Sequence, residues 1–268
     1  MSTTTVSRQN APTVLRFKPL RSSVSEAEWN ARVDLAACYR LCDLYGMSDM
    51  IYTHISARVP GEPGHFLLNP HGMLFDEITA SCLLKVDLDG KVVYRPESDY
   101  GLHPAGFVIH SAIYKARPDV GAAMHTHTIA GMAVSALKCG LLPLTQTATR
   151  FYTRVAYHDF NGPERDPGER EKLAQHLGSH DCMILRNHGL LTVGPTVPEA
   201  FNRMYGMERA CQAQLAAMAC NTPLNEISET AVRKSVAMYD PSVVRSYGLL
   251  EWPGLLRKLD RIDSSYRD

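Results

Sequence analysis

The stretch VGAAMHTHTIAGMAVSAL (residues 120–137) decides how the chain is read. Its first eight residues form an apolar run of strand length, preceded by Pro118 and followed by a turn. The next ten read as a helix that ends near Gly140. Successive strand side chains face opposite ways, so His125 and His127 share one face. Two neutral imidazoles on one face suit a zinc, iron or nickel ion, because each offers a nitrogen lone pair at low desolvation cost. They equally suit a pair of hydrogen-bonded strand histidines, and the spacing alone leaves both open.

A second apolar strand, CMILRNHG (182–189), ends in Arg186-Asn187-His188-Gly189, and LLTVG (190–194) follows as its hairpin partner. Polar residues that close a buried strand line ligand sites in layered folds. Gly189 permits a tight turn that would fix His188. With His125 and His127, His188 completes a set of three. Three protein ligands with a free fourth position describe a catalytic metal site. Neutral ligands leave the charge of the ion undiminished, which favours polarising a carbonyl or stabilising a developing enolate.

The remaining elements alternate around these two strands. Ser25 and Glu28 form a capping box for a helix near 26–45, with apolar residues at 29, 33, 36, 37, 41 and 44. Residues 50–59 read as a strand, 66–72 as a strand running into a turn, and 85–94 as a hairpin with Asp89-Gly90 at its tip. Pro104 opens a helix over 104–117. A short strand at 154–160, a helix at 168–178, a long helix from the Thr196 cap to about 220, and a helix at 226–238 follow. The tail 248–268 reads as an amphipathic cover, with Trp252 as an anchor between subunits. Strands alternating with helices predict a layered α/β domain. The expected organisation is a flexible N-terminal arm (1–24), the main domain (25–221), and a C-terminal helical extension (222–268). That extension would pack on the domain or on a neighbouring subunit.

Composition narrows the function. The 268 residues carry 28 basic and 28 acidic side chains, so no global basic field marks nucleic acid as a partner. No apolar run is long enough for a transmembrane helix, and the N-terminus lacks the apolar core of a secretory signal. Seven cysteines are scattered among apolar residues and read as buried, reduced thiols of a cytoplasmic protein.

RPDVGAAMHTHTIAG (117–131), LRNHGLLTVGPTVPEAF (185–201) and NPHGMLFDEITASCLLKVDLDG (69–90) together resemble the class II aldolase/adducin head-domain family, over roughly residues 28–220. The resemblance implies a three-layer αβα fold with a central, mostly antiparallel sheet between helices. It also implies a homotetramer with sites near subunit contacts, and a divalent ion on His125, His127 and His188. Zinc is the expected ion, with manganese or iron(II) as alternatives.

The chain departs from the sugar-phosphate aldolases of that family. Their Pro-Ser-Ser-Glu falls on His103-Pro104-Ala105-Gly106, so two serines that help hold phosphate and a glutamate are missing. Their Gly-Asn-x-Ser turn falls near Thr53-His54-Ile55-Ser56. The segment expected to carry a tyrosine proton donor, Leu144–Arg150, contains none. PAGFVIHSAIYKARPDV (104–120) looks closer to the adducin-like branch.

Catalytic candidates in place of the missing groups are His103, Glu97 and Tyr100. His54, His71, Arg150 and Arg186 are candidates for binding substrate, the arginines by gripping a carboxylate. His158-Asp159 is a further acid/base candidate, and His110 reads as a core histidine. Tyr205 and Glu208 read as packing and a solvated face. The expected function is a metal-dependent lyase, aldolase- or decarboxylase-type, acting on a small unphosphorylated hydroxy- or keto-acid through an enolate. Two alternatives are a non-haem iron oxygenase of an aromatic acid and a non-enzymatic adducin-like oligomerisation module.

Overall fold

Capping and periodicity set the first element. In the computed structural model of the chain, residues 15–162, 167–240, 243 and 245–268 are described. The Ser25 side chain accepts the Glu28 N–H at 3.1 Å and opens α1 (Glu26–Leu44). Gly46, at φ 67°, follows the helix. Of the expected N-terminal arm, residues 1–14 lie outside the described residues. Leu20 is buried, and its N–H donates to Ser81 Oγ at 3.2 Å.

The strands are β1 (His54–Val59), β2 (Glu62–Leu68), β3 (Pro70–His71), β4 (Leu84–Asp87), β5 (Val92–Tyr94), β6 (Gly101–Leu102) and β7 (Ala122–Thr126). The last three are β8 (Val155–His158), β9 (Cys182–Leu185) and β10 (Gly189–Gly194). Eight of them form one sheet in the order β5-β4-β2-β1-β7-β10-β9-β8, and β3 pairs with β6 apart from it. Every neighbouring pair in the large sheet is antiparallel except β8 with β9. The expected mostly antiparallel α/β architecture is therefore the observed one.

The helices are α2 (Pro104–Ala116), α3 (Ile129–Ser135), α4 (Gln146–Thr149), α5 (Pro167–Leu177), α6 (Val197–Ala219), α7 (Glu229–Met238) and α8 (Trp252–Ile262). Alternation along β7 separates two cores. Met124 faces α1, α3 and α6, whereas Ala123 faces the cluster containing Ile109 and Ile113 of α2 and Leu173 and Leu177 of α5.

Several expectations need correcting. The strand expected from residue 50 begins at His54, because Met50 takes a left-handed φ of 45° and the chain turns there. The strand expected from residue 66 begins at Glu62, and α4 was not foreseen. Trp252, expected as an anchor between subunits, packs within its own chain. Its Nε1–H donates to Asp34 Oδ1 at 2.8 Å, and its ring meets Phe201 edge-on at 5.8 Å, so α8 is anchored on its own domain. No disulfide joins the seven cysteines, but Cys139 and Cys220 are exposed rather than buried. Among the described residues, no helix is long and apolar enough to cross a membrane.

Candidate metal centre

The centre of the sheet carries the site. His54 of β1 lies opposite His125 of β7, and Leu191 of β10 lies on the other side of His125. His127 follows β7 directly, and His188 lies in the turn between β9 and β10. The turn has a local cause: Asn187 takes a left-handed φ of 56°, which asparagine tolerates better than most residues. Gly189, expected to supply that freedom, serves another purpose. A Cβ on it would run into the Thr126 carbonyl oxygen and crowd the His127 ring. Ser135 of α3 holds the turn from outside, its carbonyl taking the Asn187 N–H at 3.1 Å and its hydroxyl the His188 N–H at 3.2 Å.

These constraints bring three Nε2 atoms together. His125 and His127 are 2.9 Å apart there, His125 and His188 3.2 Å, and His127 and His188 3.0 Å. The tautomers follow from the outer partners. His125 Nδ1 lies 3.0 Å from the Leu190 carbonyl, which can only accept, so Nδ1 carries the proton. His127 Nδ1 lies 3.1 Å from the Asp49 carboxylate, which fixes the same tautomer. Two Nε2 lone pairs therefore face one another. A cation resolves that repulsion, and tetrahedral bonds of roughly 2.0–2.1 Å would hold nitrogens about 3.3 Å apart. The donor set fits a divalent ion, and burial pushes His125 well below the ordinary histidine value, keeping it neutral.

More imidazoles extend from this group. Seven of the chain's 11 histidines form a connected cluster: His71, His103, His54, His110, His125, His127 and His188. His103 caps α2, its Nδ1 accepting the Gly106 N–H at 3.0 Å, so its proton sits on Nε2. Burial pushes its pKa down to about 4. Gly106 lets the start of α2 rest on His54, since a Cβ there would stand 2.8 Å from the ring. Behind His54, its Nδ1 meets His110 Nε2 at 2.7 Å, His110 Nδ1 meets Ser56 Oγ, and Ser56 Oγ meets Tyr114 Oη at 2.8 Å. Among the described residues, His71 Nδ1 is buried without a hydrogen-bond partner.

Other candidates fall elsewhere. Tyr100 lies beside Gly72, next to His71. Glu97 is exposed and is not brought to the histidines. Arg186 is tied to Asp159 at 3.1 Å and lies over the Tyr157 ring. The expected His158-Asp159 pair does not form, because His158 Nδ1 turns to His176 at 2.8 Å. Arg150 lies toward the opposite end of β9 from His188, in a cavity with Asp181 and Cys182. Glu208 is buried rather than solvated, and it accepts from Thr128, the cap of α3 that directly follows His127. Asp49 and Glu208 were missed as supports because their partners lie 78 and 80 residues away.

Comparison with known proteins places this geometry. Residues 33–215 match the family described as Class II Aldolase and Adducin N-terminal domain. A Caulobacter vibrioides protein, provisionally named a class 2 aldolase, is 49% identical over 253 residues, covering 93% of this chain and 96% of its own. Alpha-adducin of Rattus norvegicus is 48% identical over 189 residues, covering 70% of this chain but 26% of the adducin. Among solved structures, L-fuculose 1-phosphate aldolase from Glaciozyma antarctica superposes with a TM-score of 0.80 at 30% identity, covering 97% of each chain.

Proposed function

Because this chain belongs to the class II aldolase and adducin N-terminal domain family, we propose that it is a divalent-metal-dependent lyase acting on a small unphosphorylated hydroxy- or keto-acid. The family match and the likeness to a fuculose-phosphate aldolase support a metal-dependent, aldolase-type lyase. The single observation that carries the reading is the convergence of His125, His127 and His188 with two tautomers fixed from behind. These three residues would hold the ion, zinc first and manganese or iron(II) as alternatives. When bound, the ion supplies Lewis acidity and offsets negative charge developing on a substrate oxygen.

The chain's own residues do the rest. Asp49 and the Leu190 carbonyl keep the His127 and His125 lone pairs turned inward. His103, neutral at pH 7 with its proton on Nε2, donates a hydrogen bond to a substrate oxygen and is the proposed group that steadies negative charge developing there. His71, with its orphaned Nδ1, and His54, backed by His110, Ser56 and Tyr114, orient the substrate. Arg186, beside His188, is the proposed carboxylate contact. The two serines and the Gly-Asn turn that help the sugar-phosphate aldolases hold phosphate are missing from this sequence. That is the reason for preferring an unphosphorylated substrate over the sugar phosphate named for the Glaciozyma neighbour. We read the assembly as a homotetramer, which light scattering would report as about four times the 29.7 kDa chain.

A second reading, a non-enzymatic adducin-like oligomerisation module, is favoured by the 48% identity to alpha-adducin. One experiment separates them. Protein loaded with zinc, manganese or iron(II) is incubated with a panel of hydroxy- and keto-acids, and with L-fuculose 1-phosphate in parallel. The lyase reading expects carbonyl or CO2 release from an acid, lost in His125→Ala and lowered about 100-fold in kcat by His103→Gln. Turnover of the sugar phosphate alone would overturn the substrate assignment. Oxygen uptake with iron(II) would replace the lyase by the oxygenase, and no turnover with any metal would leave the adducin-like module.

A further inference from the structure

Toward the far end of β9 from the histidine centre lies a second concavity. β9 runs from Cys182 to Leu185 toward His188, a span of about 10 Å, so Asp181 and Cys182 mark its opposite end. There a cavity of about 410 Å³ opens between these residues, the first turns of α6, Tyr239 and Tyr247. Its walls carry four guanidinium groups, and three of them are satisfied. Arg203 pairs with Asp181 at 2.9 Å. Arg245 pairs with Glu251 at 2.9 Å. Arg154 donates to the Tyr239 and Val236 carbonyls at 3.0 and 3.2 Å and faces Asp240 at 3.9 Å. Glu199, also in the wall, is turned to the Thr196 hydroxyl at 2.7 Å.

Arg150 is the exception. Its Nη1 donates to the neutral Asn202 Oδ1 at 2.7 Å, and its guanidinium lies 4.8 Å over the Tyr247 ring. Among the described residues no carboxylate pairs with it. Burial, and then the neighbouring Arg203, work against its charge. A guanidinium does not shed its proton in a protein, so a half-buried one without an acidic partner favours an anion beside it. Arg245, paired with Glu251, approaches the same Tyr247 ring at 5.3 Å.

We propose that this cavity is a second ligand site, which takes a small organic oxyanion, phosphate- or carboxylate-bearing, gripped by the Arg150 fork. Bidentate recognition of such groups is what the planar guanidinium does best. The volume exceeds what inorganic phosphate needs and falls within the range of metabolite pockets, so the oxyanion carries an organic body against Tyr239 and Tyr247. The site is separate from the histidine centre and stands or falls without it.

The test is calorimetric titration of the full chain with inorganic phosphate and with succinate, at constant ionic strength set with sodium chloride. Saturable binding of either supports the site, and whichever binds tighter assigns the headgroup. Arg150→Gln is expected to weaken that binding at least tenfold, with Arg150→Lys between it and the parent. Asn202→Asp places a carboxylate against Arg150 inside the fold. It is expected to abolish binding and raise the melting temperature, which keeps the proposal testable if Arg150→Gln fails to fold. His125→Ala should leave the affinity within twofold, so a failure of the metal centre is not mistaken for a failure here. Absence of saturable binding by both anions, or unchanged affinity in Arg150→Gln and Asn202→Asp, would overturn the proposal.

Discussion

At the scale of single residues, the metal centre depends on side chains that touch no substrate. Asp49 holds the His127 Nδ1 proton from a turn 78 residues away in sequence. Removing such an outer partner typically costs 10–100-fold in metal affinity. Asp49→Ala should weaken zinc binding by roughly that factor in a chelator competition, with secondary structure unchanged by circular dichroism. Unaltered affinity would mean that Asp49 does not set the tautomer. Gly189 is a second such residue. A methyl group there meets the Thr126 carbonyl, where β10 begins its pairing with the end of β7, and crowds the His127 ring. Gly189→Ala should destabilise the fold by about 1–3 kcal/mol in urea denaturation, and it should disturb metal binding because the strand must shift to accept it.

Elements explain how the sheet is covered. α8 is amphipathic and lies on α1 through Trp252, which fills a slot beside Phe201 and satisfies Asp34. Burial alone raises the Asp34 pKa, so losing the indole N–H leaves a costly carboxylate behind. Trp252→Ala should lower stability by about 3–5 kcal/mol, read as a fall in urea midpoint at constant m-value. A change below about 1 kcal/mol would place α8 outside the cooperative unit. Strands and long helices were legible in the sequence because apolar periodicity and capping act locally, as in Ser25–Glu28 and in the run 120–127. The parallel pairing of β8 with β9 was not, since pairing direction depends on where α5 returns the chain. The three converging histidines were legible because two lie two apart on and just beyond one strand and the third follows another. Their supports were not, because Asp49, Glu208 and Ser135 reach them from elements far away in sequence, and His110 became more than a core residue only when α2 was laid over β1.

The whole molecule carries its buried imidazoles as a pH liability. Burial depresses His103 to about 4 and His110 to about 3, against roughly 6.5 in the unfolded chain. Between those values the unfolded state binds more protons than the folded one. Stability is therefore full above about pH 6.5 and falls as pH drops toward 4 and then 3. Each such histidine adds about 1.4 kcal/mol per pH unit within its window. In metal-free protein, His110→Gln should flatten the decline between pH 6 and pH 4 by about one proton's worth. An unchanged slope would show that His110 is not held neutral by the fold.

The central claim is that three imidazoles converge to hold one divalent ion. Anomalous diffraction from crystals grown with zinc or manganese tests it most directly. The account predicts one peak per chain between the Nε2 atoms of His125, His127 and His188. An ion bound elsewhere, or no peak there with the rings hydrogen-bonded to each other, would contradict it.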